Sequence, residues 1–196
     1  MIDKRRFELI RKKYGHFVSW AVWANERERP TENIGDLRIF DLEINPNLLE
    51  QLRPNIIMVG LNISRPLEKP FQNFHDSRRG SRDYKIRFTF RNTPYYGAYM
   101  TDIIKNFKET EALKVIRYLK KNEEFKIQNI EIFRQEIKDL GVNNPFIIAF
   151  GNVAYEILFR NFAEEYQIVK IPHYSNFISK EKYREQVHNI LNINNK

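Results

Sequence analysis

Two stretches of the chain share one unusual form. Residues 54–60, "PNIIMVG", and 145–151, "PFIIAFG", each contain a run of consecutive apolar residues, from Ile56 and from Phe146, that ends on glycine. A strand that alternates apolar and polar residues covers one face of a sheet, whereas a strand apolar throughout is covered on both. Two more runs have strand character, "AYMTDII" at 98–104 and "YQIVKIP" at 166–172. Amphipathic helical spacing lies between them. Strands of this kind alternating with helices predict an α/β chain: a three-layer α/β/α sandwich around a central, mostly parallel sheet of four strands.

The helices follow from period and punctuation. Phe7, Ile10, Tyr14, Phe17, Val18 and Ala21 predict a helix over 3–24, and Asn45-Pro46 opens a short one through Leu48, Leu49 and Leu52. Thr110 is the expected cap of a helix over 111–121, and Gly141 the stop of one over 126–140. Val153, Ile157, Leu158 and Phe162 mark the helix after Gly151, and Ser179 is the expected cap of the last, which buries Tyr183, Val187, Ile190 and Leu191. One domain is expected over 1–196, with a helical extension over about 1–50 and a basic loop insertion over about 63–97.

Composition narrows the chemistry. The 196 residues include no cysteine, which removes disulfides, thiolate catalysis, zinc fingers and iron–sulfur clusters. No apolar run approaches the roughly 20 residues of a membrane helix, and the N-terminus lacks a signal-peptide pattern, so a cytoplasmic protein without a membrane partner is expected. His16, His75 and His188 have no metal spacing. No metal and no cofactor is expected, and the expected state is a monomer. The net charge of +8 suits a polyanionic partner; a lysine-, isoleucine- and asparagine-rich genome would give a similar bias.

Local placement of charge favours nucleic acid. Residues 78–91 carry Arg78, Arg79, Arg82, Lys85, Arg87 and Arg91 against Asp83 alone, with Tyr84, Phe88 and Phe90 interleaved. Cations track phosphates while aromatic rings stack on bases. A solvated loop with ordinary aromatics is the rival explanation.

In open parallel sheets ligands bind beyond the carboxyl ends of the strands. Asn62, the residues after Gly151, and His173-Tyr174-Ser175 all fall at such ends. Gly60-Leu61-Asn62 resembles the first motif of the uracil-DNA glycosylase superfamily, Gly-x-Asn or Gly-x-Asp. His173-Tyr174-Ser175 is similar to its second, His-Pro-Ser. "IIAFGNVAYEIL" resembles a third landmark, and "TDIIK" its middle strand. The resemblance spans about 55–190, with the motifs in order.

The resemblance implies a DNA base-excision enzyme that cleaves the N-glycosidic bond of a damaged or deaminated base, on single-stranded or damaged DNA. It implies that Asn62 orients the attacking water and that His173 donates to the departing base, whose negative charge needs an oxyanion-type donor. Gly60 and Leu61 would line the base pocket, Phe74 would stack on the base, and Ser64 and Ser175 would meet DNA, Ser175 at a phosphate. Phe177, four residues after His173, would fill the gap left by a flipped nucleotide.

Three departures stand out. Ile63-Ser64 replaces the usual Pro-Gly, and Tyr174 replaces the proline of His-Pro-Ser. Asp102 stands where several branches have the Asn that reads uracil. An amide donates to O4 and accepts from N3–H, whereas an ionised carboxylate only accepts and would suit an exocyclic amine. Either Asp102 lies outside the pocket or the ligand is not plain uracil. The alternatives are a catalytically inactive nucleic-acid- or nucleotide-binding protein of the same fold, and a small-molecule hydrolase using the same cleft.

Overall fold

The computed structural model describes residues 2–193. Its sheet has five strands in the order β1-β3-β2-β4-β5, namely β1 (Ser19–Trp20), β2 (Arg53–Asn62), β3 (Ala98–Ile104), β4 (Phe146–Phe150) and β5 (Ile168–Ile171). β2 pairs in parallel with β3 and β4, and β4 with β5. The helices are α1 (Lys4–Tyr14), α2 (Leu48–Gln51), α3 (Tyr84–Phe90), α4 (Ala112–Lys121), α5 (Glu123–Leu140), α6 (Asn152–Phe162) and α7 (Lys180–Ile190).

The expected three layers are present, and the continuous apolar strands explain them. On central β2, Ile57 and Val59 point into a core shared with α1, α5 and α6, while Met58 between them points to the opposite core with α3 and α7. No polar face is left for water. Among the described residues no helix is long and apolar enough to cross a membrane.

The fifth strand corrects the expectation of four. α1 stops at Tyr14, and the chain turns at Gly15 to lay Ser19 and Trp20 antiparallel against Met100 and Tyr99 of β3. Residues 17–23 are buried without a break, which an amphipathic helix on a surface does not allow. The helical spacing that reaches Ala21 is thus coincidental beyond Tyr14. A second correction lies in the 63–97 segment, which contains α3. Its apolar face was hidden by Lys85 and Arg87, both buried with Ile86, Thr89 and Phe90. Thr110 does not cap α4; the N-cap is Glu111, without a side-chain bond. Ser179 does cap α7, accepting from the Lys182 N–H at 3.1 Å.

Sheet topology opens a crevice at one place. β2 leads to α3 on one face of the sheet, whereas its neighbour β4 leads directly to α6 on the other. The segments leaving these two adjacent strands diverge, so space opens between their carboxyl ends.

Candidate functional site

That crevice is a cleft of about 720 Å³. Its lining includes Gly60, Leu61, Asn62, Ser64, Phe74, Arg82, Asp102, Gly151, His173 and Ser175. Residues from β2, β3 and the segments after β4 and β5 therefore converge, as the strand-end placement predicts.

Asn62 is the last residue of β2. Its Nδ2 lies 3.1 Å from the Ile63 carbonyl, 3.0 Å from that of Phe107 and 2.8 Å from that of Glu109. Three carbonyl acceptors fix the amide orientation, since the flipped amide would turn its oxygen onto them. Both N–H groups are occupied, and Oδ1 is what remains to accept from a water.

His173 follows β5 and packs beside Gly151, which has φ +83°, a conformation strained for any side chain. A Cβ there would also lie 3.4 Å from that of His173. The Ser175 backbone N–H donates to His173 Nδ1 at 3.2 Å, and Ser175 Oγ lies 2.7 Å from the same atom. A backbone N–H only donates, so Nδ1 is the acceptor and the ring proton sits on Nε2. The ring is partly exposed at the cleft, yet it is set deep among protein atoms, and burial lowers its pKa to about 4. The imidazole is neutral at pH 7 and offers one N–H donor.

The floor is a carboxyl group. Asp102 is 3% exposed, and a Cβ on Gly60 would fall 2.2 Å from its Oδ1. Only glycine leaves room for that carboxyl. Asn73 Nδ2 donates to Oδ2 at 2.8 Å. Burial, opposed by Asn73 and Lys105, raises the Asp102 pKa to about 7. One wall is aromatic. Tyr174 packs edge-on to Phe150 at 5.3 Å and to Phe74 at 6.3 Å, and stacks on His173 at 4.4 Å. Phe74 adopts φ 61°, a left-handed conformation costly for an aromatic residue. It is buried against the sheet with its ring at the cleft, beside Gly60.

A polar rim was not anticipated. Arg65 pairs with Asp76, which Arg78 also contacts at 3.2 Å, and Asp83 accepts from the Asp76 N–H at 2.7 Å. Burial raises the Asp83 pKa to about 7. Arg65, Asn73 and Asp83 carry no motif, and Asn73 meets Asp102 across 29 residues of chain, so no local pattern marks them.

The basic cluster divides in two. Lys85 and Arg87, each 2% exposed, are not available to phosphates. Lys85 Nζ donates to the carbonyls of Asn176 and Ile178 at 2.7 and 2.8 Å. Arg87 donates to those of Ala24, Glu32 and Pro30 at 2.7–2.9 Å. Both cations tie loops down. Arg78 and Arg79 are exposed, and Arg82 is half-buried at the cleft with its guanidinium 5.8 Å from the Phe177 ring. Phe177 itself is 99% exposed, and Ser64 and Ser175 are exposed at the cleft. A fully solvated phenylalanine contributes nothing to the core. Among the described residues no cluster of three or more His, Asp or Glu is arranged to hold a metal ion.

Compared with family models, with curated proteins and with solved structures, the chain matches none.

Proposed function

We propose that this protein acts on DNA as a base-excision glycosylase, hydrolysing the N-glycosidic bond of a base turned out of the stack into the cleft. The observation that carries the proposal is the convergence of Asn62 and His173 on one cleft with exposed Phe177 beside it. Base cleavage leaves a cationic sugar and an anionic base. The neutral His173 Nε2–H suits a developing negative charge, and the Asn62 Oδ1 suits a water approaching the sugar. The aromatic wall suits a flat ring, and a phenylalanine wedge stabilises the gap in the stack. The absence of cysteine fits a cytoplasmic setting.

The alternative is a nucleic-acid-binding protein of the same fold without activity. It is favoured by the Asn62 amide, whose three carbonyl contacts give it a structural role of its own. The two separate in a screen for abasic-site formation on single-stranded and duplex DNA carrying uracil, hypoxanthine, xanthine or mismatches. Excision of any one base supports the enzyme; binding without excision across the set supports the inactive protein.

The DNA surface is assigned to Arg78, Arg79 and Arg82 with Phe177. Replacing Arg79 and Arg82 with alanine should weaken DNA binding and flatten the slope of log K against log salt by about one to two units, because each lost phosphate contact retains its counterion. Equilibrium binding from about 50 to 200 mM salt checks this, and an unchanged slope locates the DNA elsewhere.

A further inference from the structure

The carboxyl of Asp102 has a peculiar situation. It lies at the floor of the cleft, so a ligand that fills the cleft meets it. It is nearly inaccessible to water, and no cation touches its oxygens among the described residues. The one lysine close by, Lys105, directs its Nζ instead to the Asp102 main-chain carbonyl at 2.5 Å and to Glu136 at 2.8 Å. Among the described residues the single side-chain donor on the carboxyl is the neutral amide of Asn73. The other groups around it are Gly60 and the Phe74 ring, with Asp83 and Tyr174 on the cleft side and Lys105 and Glu136 on the core side. Two of these, Asp83 and Glu136, are acidic. A buried carboxyl with no cation on its oxygens and two acidic neighbours favours its neutral form, against the opposing charge of Lys105.

We propose that Asp102 selects the ligand as a neutral carboxylic acid, presenting O–H and C=O side by side to a base edge that carries N–H beside C=O. This rests on the glycosylase reading only for the identity of the ligand as a DNA base. Asn73 donates to Oδ2, which makes Oδ2 the carbonyl-like oxygen and places the proton on Oδ1. A neutral acid held in this way has the same donor–acceptor pattern as a carboxamide. It pairs with the lactam edge of uracil, hypoxanthine or xanthine. The ionised form has two acceptors and is repelled by the base carbonyl. Selection is therefore gated by one proton, and a pKa of about 7 sets the gate inside the working range.

The sign follows directly. Below pH 7 the acid is neutral and the lactam edge is bound; above it the pairing is lost. The neutral fraction falls about tenfold between pH 6 and pH 8 for a group near pH 7. His173, lowered to about 4, does not titrate in that window. Asp83, raised to about 7, does.

The test compares two oligonucleotides of one sequence, with and without a single non-cleavable 2′-fluoro-deoxyuridine, by equilibrium binding at pH 6 and pH 8. The expected preference of the parent for the uracil oligonucleotide drops about tenfold from pH 6 to pH 8. Asp102→Asn, which presents a donor and an acceptor at every pH, should keep the pH 6 preference at pH 8. The proposal is overturned if the parent shows no preference, if its preference does not change with pH, or if Asp102→Asn shows the same drop, which would assign the titration to Asp83. Abasic-site formation on ordinary deoxyuridine, run in parallel, reports on catalysis separately. A pH-gated preference without excision removes the enzyme reading and leaves the role of Asp102 standing.

Discussion

His173→Ala is expected to lower base excision by about 10²–10³-fold, the loss that follows removal of one oxyanion-type donor. The ring is held by Ser175 through Nδ1, so its remaining Nε2–H is preorganised and costs no rearrangement when the base departs. Affinity for substrate DNA should change little, because the donor acts on charge that develops only in the transition state. Single-turnover abasic-site formation gives the rate, and equilibrium binding gives the affinity. A loss of affinity as large as the loss of rate would show that His173 merely shapes the cleft. Ser175→Ala removes the hydroxyl but not the backbone N–H that fixes the tautomer, so its effect on rate should be smaller than that of His173→Ala.

The second large effect concerns stability. Lys105→Met is expected to destabilise the fold by about 3–5 kcal/mol, the usual cost of leaving one member of a buried ion pair alone. Lys105 and Glu136 are both 0% exposed. Glu136 Oε1 lies 2.8 Å from Lys105 Nζ, close enough for ionic attraction although poorly aligned for a hydrogen bond. Tyr99 donates to its other oxygen at 3.3 Å. For a chain of this size the midpoint of thermal unfolding should fall by roughly 6–20 °C. The sign of the pH dependence is fixed by Glu136, whose pKa burial raises. Without Lys105 it is raised further, so the variant loses most above neutrality and least in acid, where Glu136 is protonated in both folded and unfolded chains. Lys105→Met with Glu136→Leu should recover most of the loss, since an apolar pair of similar volume replaces the ions at little net cost. Calorimetry at pH 5 and pH 8 checks both. Equal losses at the two pH values would mean that packing rather than charge is at stake. Because Lys105 also holds the Asp102 carbonyl, the single variant should loosen the cleft floor too.

Gly60→Ala tests that floor more locally. The added methyl group would overlap Asp102 Oδ1, so the carboxyl must leave its seat. Base selection should be lost, with a modest fall in stability of about 1–3 kcal/mol from overpacking. Retained selection in a folded Gly60→Ala protein would place the selecting group elsewhere.

What the sequence determined by itself was whatever depends on local pattern. Continuous apolar runs between amphipathic helices point to a mostly parallel sheet covered on both faces, because strands buried on both sides leave no place for polar alternation. The first of these runs and the later "YQIVKIP" place Asn62 and His173 at strand ends, and a parallel sheet puts such ends on one side. Tertiary structure decided the fates of individual charges and of the shortest elements. Lys85 and Arg87 look like phosphate contacts in the chain but are buried, because carbonyls of distant loops converge on them. Phe177 is of a residue type usually buried, yet in the turn after β5 it is 99% exposed. The two residues of β1 are too few for any periodicity, and only pairing with Met100 and Tyr99 makes them a strand. Asp102 is the sharpest case. As a residue type it is an anion that accepts; at the base of this cleft, with Asn73 for a donor and no cation at its oxygens among the described residues, burial raises its pKa to about 7. Protonation is set by the free energy of the surroundings, and those surroundings are assembled from β2, β3 and the loop around Asn73, which only the fold brings together.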